Sequence, residues 1–223
     1  DPAKVTEAIR SGRMSTTTGP FLRMTANGYP MGSTISVHSP ILDIHLDAQV
    51  ASWIDLDSIR VIQNGDEVAS VGYDGQRDGP LHLRPRIRIP IERDCWVVAI
   101  AQGDEPLTPF VMHDDRDVLP IAIANPIYID ADGDGKYTPP QEWAENIVSS
   151  NDFDSIVRMY NEVNPTEQSL LVMASNDKKM VELGLKSNER IVRLAATKLA
   201  ERIKDPSLLT LLAKVVEDKT SDR

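Results

Sequence analysis

The apolar period of this chain changes at Pro139-Pro140. Upstream, hydrophobic residues recur at every second position. Downstream they recur every three to four. A period of two belongs to strands with one buried face, and a period of 3.6 to helices. The chain is therefore expected to hold an antiparallel β-sandwich of Ig-like form, residues 14–138, followed by an α-helical region, residues 141–223, built as a HEAT-like array or a bundle. A short helix is expected within residues 1–13. At 223 residues the chain is long enough for two units, each with its own core.

In residues 81–91, Leu81, Leu83, Pro85, Ile87, Ile89 and Ile91 share one face, and His82, Arg84, Arg86 and Arg88 the other. Pro85 has no N–H to give a ladder, so this reads as an edge strand or one with a bulge. The arginine face is either a solvated outer surface or an anion-binding stripe. Cys95-Trp96-Val97-Val98-Ala99-Ile100-Ala101 is apolar on both faces and belongs at the centre of a sheet. Asn64-Gly65 predicts a type I′ hairpin, and Asn27-Gly28 and Asp74-Gly75 mark further turns. Trp53 and Trp96 read as core or rim packing residues, with a sugar-stacking platform as the alternative.

Downstream, Ile156, Val157 and Tyr160 lie on one side of a helix over 154–163, and Pro165 opens another over 165–174. Ser187 is the N-cap candidate for a helix with the stripe Ile191, Leu194, Ala195, Leu199 and Ile203. Asp205-Pro206 then caps a helix carrying Leu208, Leu209, Leu212, Val215 and Val216. This unit, residues 187–217, resembles a HEAT-type repeat, in which paired helices stack for protein contact.

The seam between the halves carries the most specific chemistry: Asp130-Ala131-Asp132-Gly133-Asp134-Gly135-Lys136. Ca²⁺ takes about six to eight hard oxygens, and carboxylates at positions 1, 3 and 5 of a tight loop converge on one point. Gly135 at position 6 allows the turn, and the Lys136 carbonyl at position 7 can face the ion. Position 12 falls on Gln141, leaving Glu142 as the remaining acid. The preceding residues, 121–129, read as a strand, and Pro139-Pro140 interrupts the place where an exiting helix would begin. The candidate metal set is Asp130, Asp132, Asp134, Lys136 and Glu142, holding a structural Ca²⁺ with a Kd of about 10⁻⁴ to 10⁻³ M. The competing reading is an Asx-turn whose carboxylates bond only their own backbone.

A net charge of −10 argues against nucleic acid and anionic lipid as partners. No apolar run reaches the length of a membrane span, and the chain reads as water-soluble. Cys95 is the single cysteine, so no intrachain disulfide forms, and its apolar surroundings suit an inert thiol. His38, His45, His82 and His113 are scattered, without a metal-type pair, and His113-Asp114-Asp115 is a local group with ligand chemistry. No nucleophile elbow or phosphate-cradling glycine loop is present. No catalytic residue is assigned. The start Asp1-Pro2-Ala3-Lys4, without a methionine or a signal peptide, reads as that of a fragment, with any export signal upstream.

Ala8-Ile9-Arg10-Ser11-Gly12-Arg13 and Thr17-Thr18-Gly19-Pro20-Phe21-Leu22 resemble a junction in CehA/McbA-type proteins, a branch of the PHP (polymerase and histidinol phosphatase) metallohydrolases. Asn27-Gly28, Ser58-Ile59-Arg60-Val61-Ile62-Gln63-Asn64-Gly65, Arg93-Asp94-Cys95-Trp96-Val97-Val98 and the run from Ala124 to Gly135 follow in the same order. The resemblance covers residues 3–138 and leaves the helical region aside, and Thr17 stands where asparagine is common. In that family an upstream PHP barrel holds divalent metals in a His, Asp and Glu cluster and activates water for ester hydrolysis. None of its ligand motifs occurs here. The resemblance thus implies a non-catalytic C-terminal accessory region, packed on an upstream barrel of the same chain, and the HEAT-type likeness separately makes the helical region a contact for a protein partner. The alternative is a self-contained, Ca²⁺-stabilised β-sandwich binding module with a helical protein-interaction arm.

Overall fold

A computed structural model describes residues 1–73, 79–113, 116–209 and 211–213, with backbone alone at 112 and 113. The chain divides into two compact units, Asp1–Thr138 and Pro139–Arg223. The division falls where the apolar period changes.

The first unit opens with α1 (Pro2–Arg10), capped by the Asp1 carboxylate, which accepts the Ala3 N–H at 3.0 Å. The strands are β1 (Ser15–Thr17), β2 (Phe21–Ala26), β3 (Tyr29–Pro30), β4 (Thr34–Ser36), β5 (Ile41–Val50), β6 (Ser58–Gln63), β7 (Asp66–Gly72), β8 (Leu81–Leu83), β9 (Arg86–Pro90), β10 (Cys95–Gln102), β11 (Met112–His113), β12 (Arg116–Asp117), β13 (Ile121–Ala124) and β14 (Ile127–Asp130). Apart from the short β11–β12 ladder they form two mostly antiparallel sheets.

In one sheet β10 is central, where its two apolar faces belong. β6 runs along one side, with β7 beyond it; β13 and β14 lie in succession along the other, carrying β1 and β4. In the second sheet β5 is central, between β2 and the β8–β9 line. The period-two pattern sets the core. Leu42, Ile44, Leu46 and Ala48 of β5 and Leu22 and Met24 of β2 share one buried cluster with Ile59, Val61, Val97 and Ala99 of the other sheet. Cys95 is a buried free thiol in that cluster.

The turn chemistry behaves as the sequence predicts. Asn27 and Gly28 (φ 48° and 85°) join β2 to β3, and Asn64 and Gly65 (φ 49° and 101°) join β6 to β7. Both loops are two residues long with positive φ throughout, as type I′ hairpins require. The Asp74-Gly75 turn lies outside the described residues. Pro85 sits between β8 and β9, where its carbonyl still accepts the Leu46 N–H at 3.0 Å. One strand departs from the antiparallel expectation: β4 pairs in parallel with β14, matching Thr34, Ile35 and Ser36 to Tyr128, Ile129 and Asp130. Three residues are too few for a readable alternation.

The second unit contains α2 (Pro140–Ser150), α3 (Phe153–Glu162), α4 (Pro165–Ala174), α5 (Lys178–Leu185) and α6 (Arg190–Ile203), with residues 207–209 and 211–213 also helical. Asp152, Asn164 and Asp177 cap α3, α4 and α5 through their side chains. The double proline does not block a helix; it starts one. Pro140 stands in the first turn of α2, where a missing N–H costs nothing and φ is already set.

The face of α6 also differs from expectation. Val192, Ala195, Ala196, Leu199 and Ala200 are buried, whereas Ile191 and Leu194 are exposed. Ser187 does not occupy the N-cap, which falls on Glu189; its hydroxyl instead accepts the Glu189 N–H at 3.1 Å. Val215 and Val216 lie outside the described residues.

Candidate functional site

Strand pairing builds the acidic loop. The antiparallel match of Cys95 to Ile129 sets Asp94 beside the end of β14, and the parallel match of Ser36 to Asp130 brings in a hydroxyl. Asp130 is completely buried. Its Oδ2 accepts a very short bond from the Ser36 hydroxyl and another from the Gly135 N–H at 3.1 Å, while Oδ1 accepts the Gly133 N–H at 2.8 Å. The Ser36 bond, against the opposing effect of burial and with help from the two amides, holds this carboxyl below the usual carboxylate range. Gly133 and Gly135 adopt φ of 77° and 86°, the left-handed turns that aim both amides back at Asp130.

The other carboxylates order the rest of the loop. Asp132 Oδ1 accepts the Asp134 N–H at 3.0 Å, and Asp134 Oδ1 the Lys136 N–H at 2.8 Å. Asp94 Oδ1 accepts the Ala131 N–H at 2.8 Å, and its Oδ2 the Thr138 N–H at 2.7 Å. One side chain outside the loop thus ties down both of its ends. Tyr137 packs on Tyr128 with ring centroids 4.9 Å apart, and burial pushes its hydroxyl up to about 12.

Asp94, Asp130 and Asp132 each offer a carboxylate oxygen, all within 4.8 Å of one another. Among the described residues this is the group of three or more His, Cys, Asp or Glu side chains that converges in this way, and it contains no histidine. Of the residues predicted from sequence, Asp130 and Asp132 come together. Asp134 and Glu142 are not in the group: Asp134 turns to its own backbone, and Glu142 stands in the first turn of α2, in the second unit. Lys136 contributes its N–H to Asp134. Sequence reasoning missed Asp94 as a member of this group, because only the pairing of β10 with β14 carries it to the loop.

The donor set suits a hard divalent cation in part. Each oxygen of Asp94 and Asp130, except the doubly bonded Oδ2 of Asp130, keeps a lone pair after accepting one N–H, and Asp132 Oδ2 accepts nothing among the described residues. No Lys or Arg among the described residues pairs with these three carboxylates. The Asx-type bonds of the competing reading are present as well, and the two arrangements use different lone pairs.

None of the histidines with described side chains joins this group. His45 and His82 face outward on the β5 sheet beside Asp43 and Asp47, and the His38 ring lies over Gly133. Of the group His113-Asp114-Asp115, the His113 side chain and the residues Asp114 and Asp115 lie outside what the structure describes. No helix among the described residues is long and apolar enough to cross a membrane. No protein-family model, no curated protein and no solved structure matches this chain.

Proposed function

We propose that this chain is the accessory, non-catalytic region of a PHP-type metal-dependent hydrolase. Its β unit, a sandwich of Ig-like form, braces an upstream barrel of the same protein, and its HEAT-like helices supply a contact for a protein partner. Asp94, Asp130 and Asp132 hold a structural Ca²⁺ that fixes the end of the sandwich. The divalent metals of catalysis belong to the barrel.

One observation carries this reading. α1 has nine residues, buries none of them, and leaves Val5 and Ile9 more than half exposed on one side. A helix this short is marginal in water unless an apolar stripe packs on something. An upstream domain is the partner that the resemblance of residues 8–22 supplies. The exposed arginine row of β9 favours the second reading, a self-contained binding module.

The test is a hydrolysis assay of the purified chain with a chromogenic phosphomonoester in Mn²⁺, Zn²⁺ and Fe²⁺, together with the gene sequence upstream of Asp1. No turnover and an upstream frame rich in His and Asp are expected. Metal-dependent turnover by this chain overturns the reading.

A further inference from the structure

The outer face of the β5 sheet carries charge that neither the core nor the acidic loop uses. Asp43 lies opposite Arg88, His45 opposite Arg86, and Gln49 opposite His82, in one unbroken register across Pro85. Arg84 therefore falls in the same row. On the other side of β5, Arg23 lies opposite Asp47 and Phe21 opposite Gln49. His82, Arg84, Arg86 and Arg88 thus form a straight row of basic residues spaced every second residue, about 6.7 Å apart.

The acids of this face lie low and the bases stand out. The side chains of Asp43 and Asp47 are 24% and 19% exposed, against 58% and 62% for Arg86 and Arg23. Arg86 grips Asp43 in a fork, through Nε at 2.8 Å and through Nη2. Asp47 accepts from Arg23 Nη2 at 3.0 Å and from Gln49 Nε2 at 3.1 Å. His82 Nε2 either donates to Asp47, 2.8 Å away, or accepts from Arg84 Nε at 2.9 Å; it cannot do both. Arg88 acts on Asp43 only through space and donates no hydrogen bond among the described residues. Four arginines against two aspartates leave a local positive excess in a chain of net charge −10.

We propose that this face docks an extended acidic segment of a partner protein, with Asp or Glu at alternate positions. Alternate side chains of an extended peptide repeat at the same ~6.7 Å as the row, so carboxylates fall in step with Arg84, Arg86 and Arg88. The Arg86 guanidinium already holds the Asp43 carboxylate in forked geometry, the match this group makes best. Duplex nucleic acid, with a charge every ~1.7 Å, is out of step with the row, and the net charge of the chain opposes it. Phe21, exposed beneath Arg23 at 5.5 Å, gives the end of the face an apolar contact.

Fluorescence anisotropy with the whole chain and a labelled peptide alternating Glu and Thr tests this at low salt. Binding is expected, with loss of about fivefold in affinity for the double variant Arg84→Gln/Arg88→Gln and no change for Lys198→Gln on α6. Raising NaCl to about 0.3 M weakens it further, and a Gln-Thr peptide does not bind. Circular dichroism verifies that the double variant keeps its fold. The proposal is overturned if the peptide fails to bind or if the double variant leaves its affinity unchanged. Heparin, single-stranded DNA or phosphatidylserine vesicles binding these arginines more tightly than the peptide overturns it too.

Discussion

Asp94→Ala removes a single side chain from a turn and leaves two amides without acceptors at opposite ends of the acidic loop. The Ala131 and Thr138 N–H groups, both in partly buried bonds of 2.8 and 2.7 Å, have Asp94 as their shared acceptor. Orphaning a buried donor costs about 1–3 kcal/mol, less where water reaches it. Two such losses sum to about 2–6 kcal/mol, toward the lower end because both bonds are only partly buried. Asp94→Asn keeps one carbonyl acceptor but turns an NH₂ toward the second amide, so about half that loss is expected. Hydrogen exchange separates the local from the global effect within the β unit. The Ala131 and Thr138 amides report the clamp, and the Val97 and Ala99 amides in the centre of β10 report opening of the whole unit. Exchange at 131 and 138 should rise most, with the Ala variant more affected than the Asn variant. A change below about 0.5 kcal/mol at all four amides, the range of an ordinary surface substitution, would refute the clamp.

Gly32→Ala should be far worse than Gly28→Ala. Both glycines have φ near +80°, which costs an L-residue about 1–2 kcal/mol, but a Cβ on Gly32 would stand 2.0 Å from the Ser11 carbonyl while Gly28 has open space. Thermal denaturation of the two variants measures the difference; equal losses refute the close approach. In α6, Leu199→Ala should cost about 2–5 kcal/mol and Leu194→Ala no more than about 0.5, because only Leu199 is buried. Urea unfolding decides, and similar costs would mean that the buried face is misassigned. Burial alone would raise the Asp47 carboxyl, but bonds from Gln49, Arg23 and His82 outweigh it and bring it to about 2. Its folded value lies below the unfolded ~3.9, so its stabilising contribution is complete above about pH 4 and fades as pH falls through about 2. Carbon-detected NMR of the Asp47 carboxyl checks this, and titration near 4 contradicts it.

Much of the β unit was legible because its signals are local. The period-two run over residues 81–91 gives β8 and β9 their faces, apolarity on both faces places β10 at the centre of its sheet, and Asn-Gly pairs mark two hairpins without reference to anything distant. The misses are non-local or chemically quiet. Asp94 joins the loop only through the pairing of β10 with β14, which no spacing in the sequence announces. The buried face of α6 is quiet in the sequence because three of its members are Ala195, Ala196 and Ala200. Small residues let helices approach closely: a Cβ on Gly184 of α5 would stand 2.8 Å from Ala196 Cβ. A hydrophobicity count favours Ile191 and Leu194 instead, which face water. The double proline reads as an interruption because proline ends helices more conspicuously than it begins them.

Melting of the chain across a Ca²⁺ titration probes the acidic loop most directly. With a Kd of about 10⁻³ M, 10 mM Ca²⁺ should add about 1.4 kcal/mol by mass action, or roughly 5 °C in the Tm of the β unit. Asp132→Ala, which removes an exposed ligand and one turn bond, should abolish the rise, and Mg²⁺ should not reproduce it. A β-unit transition that stays fixed through millimolar Ca²⁺ would leave Asp94, Asp130 and Asp132 as backbone caps alone.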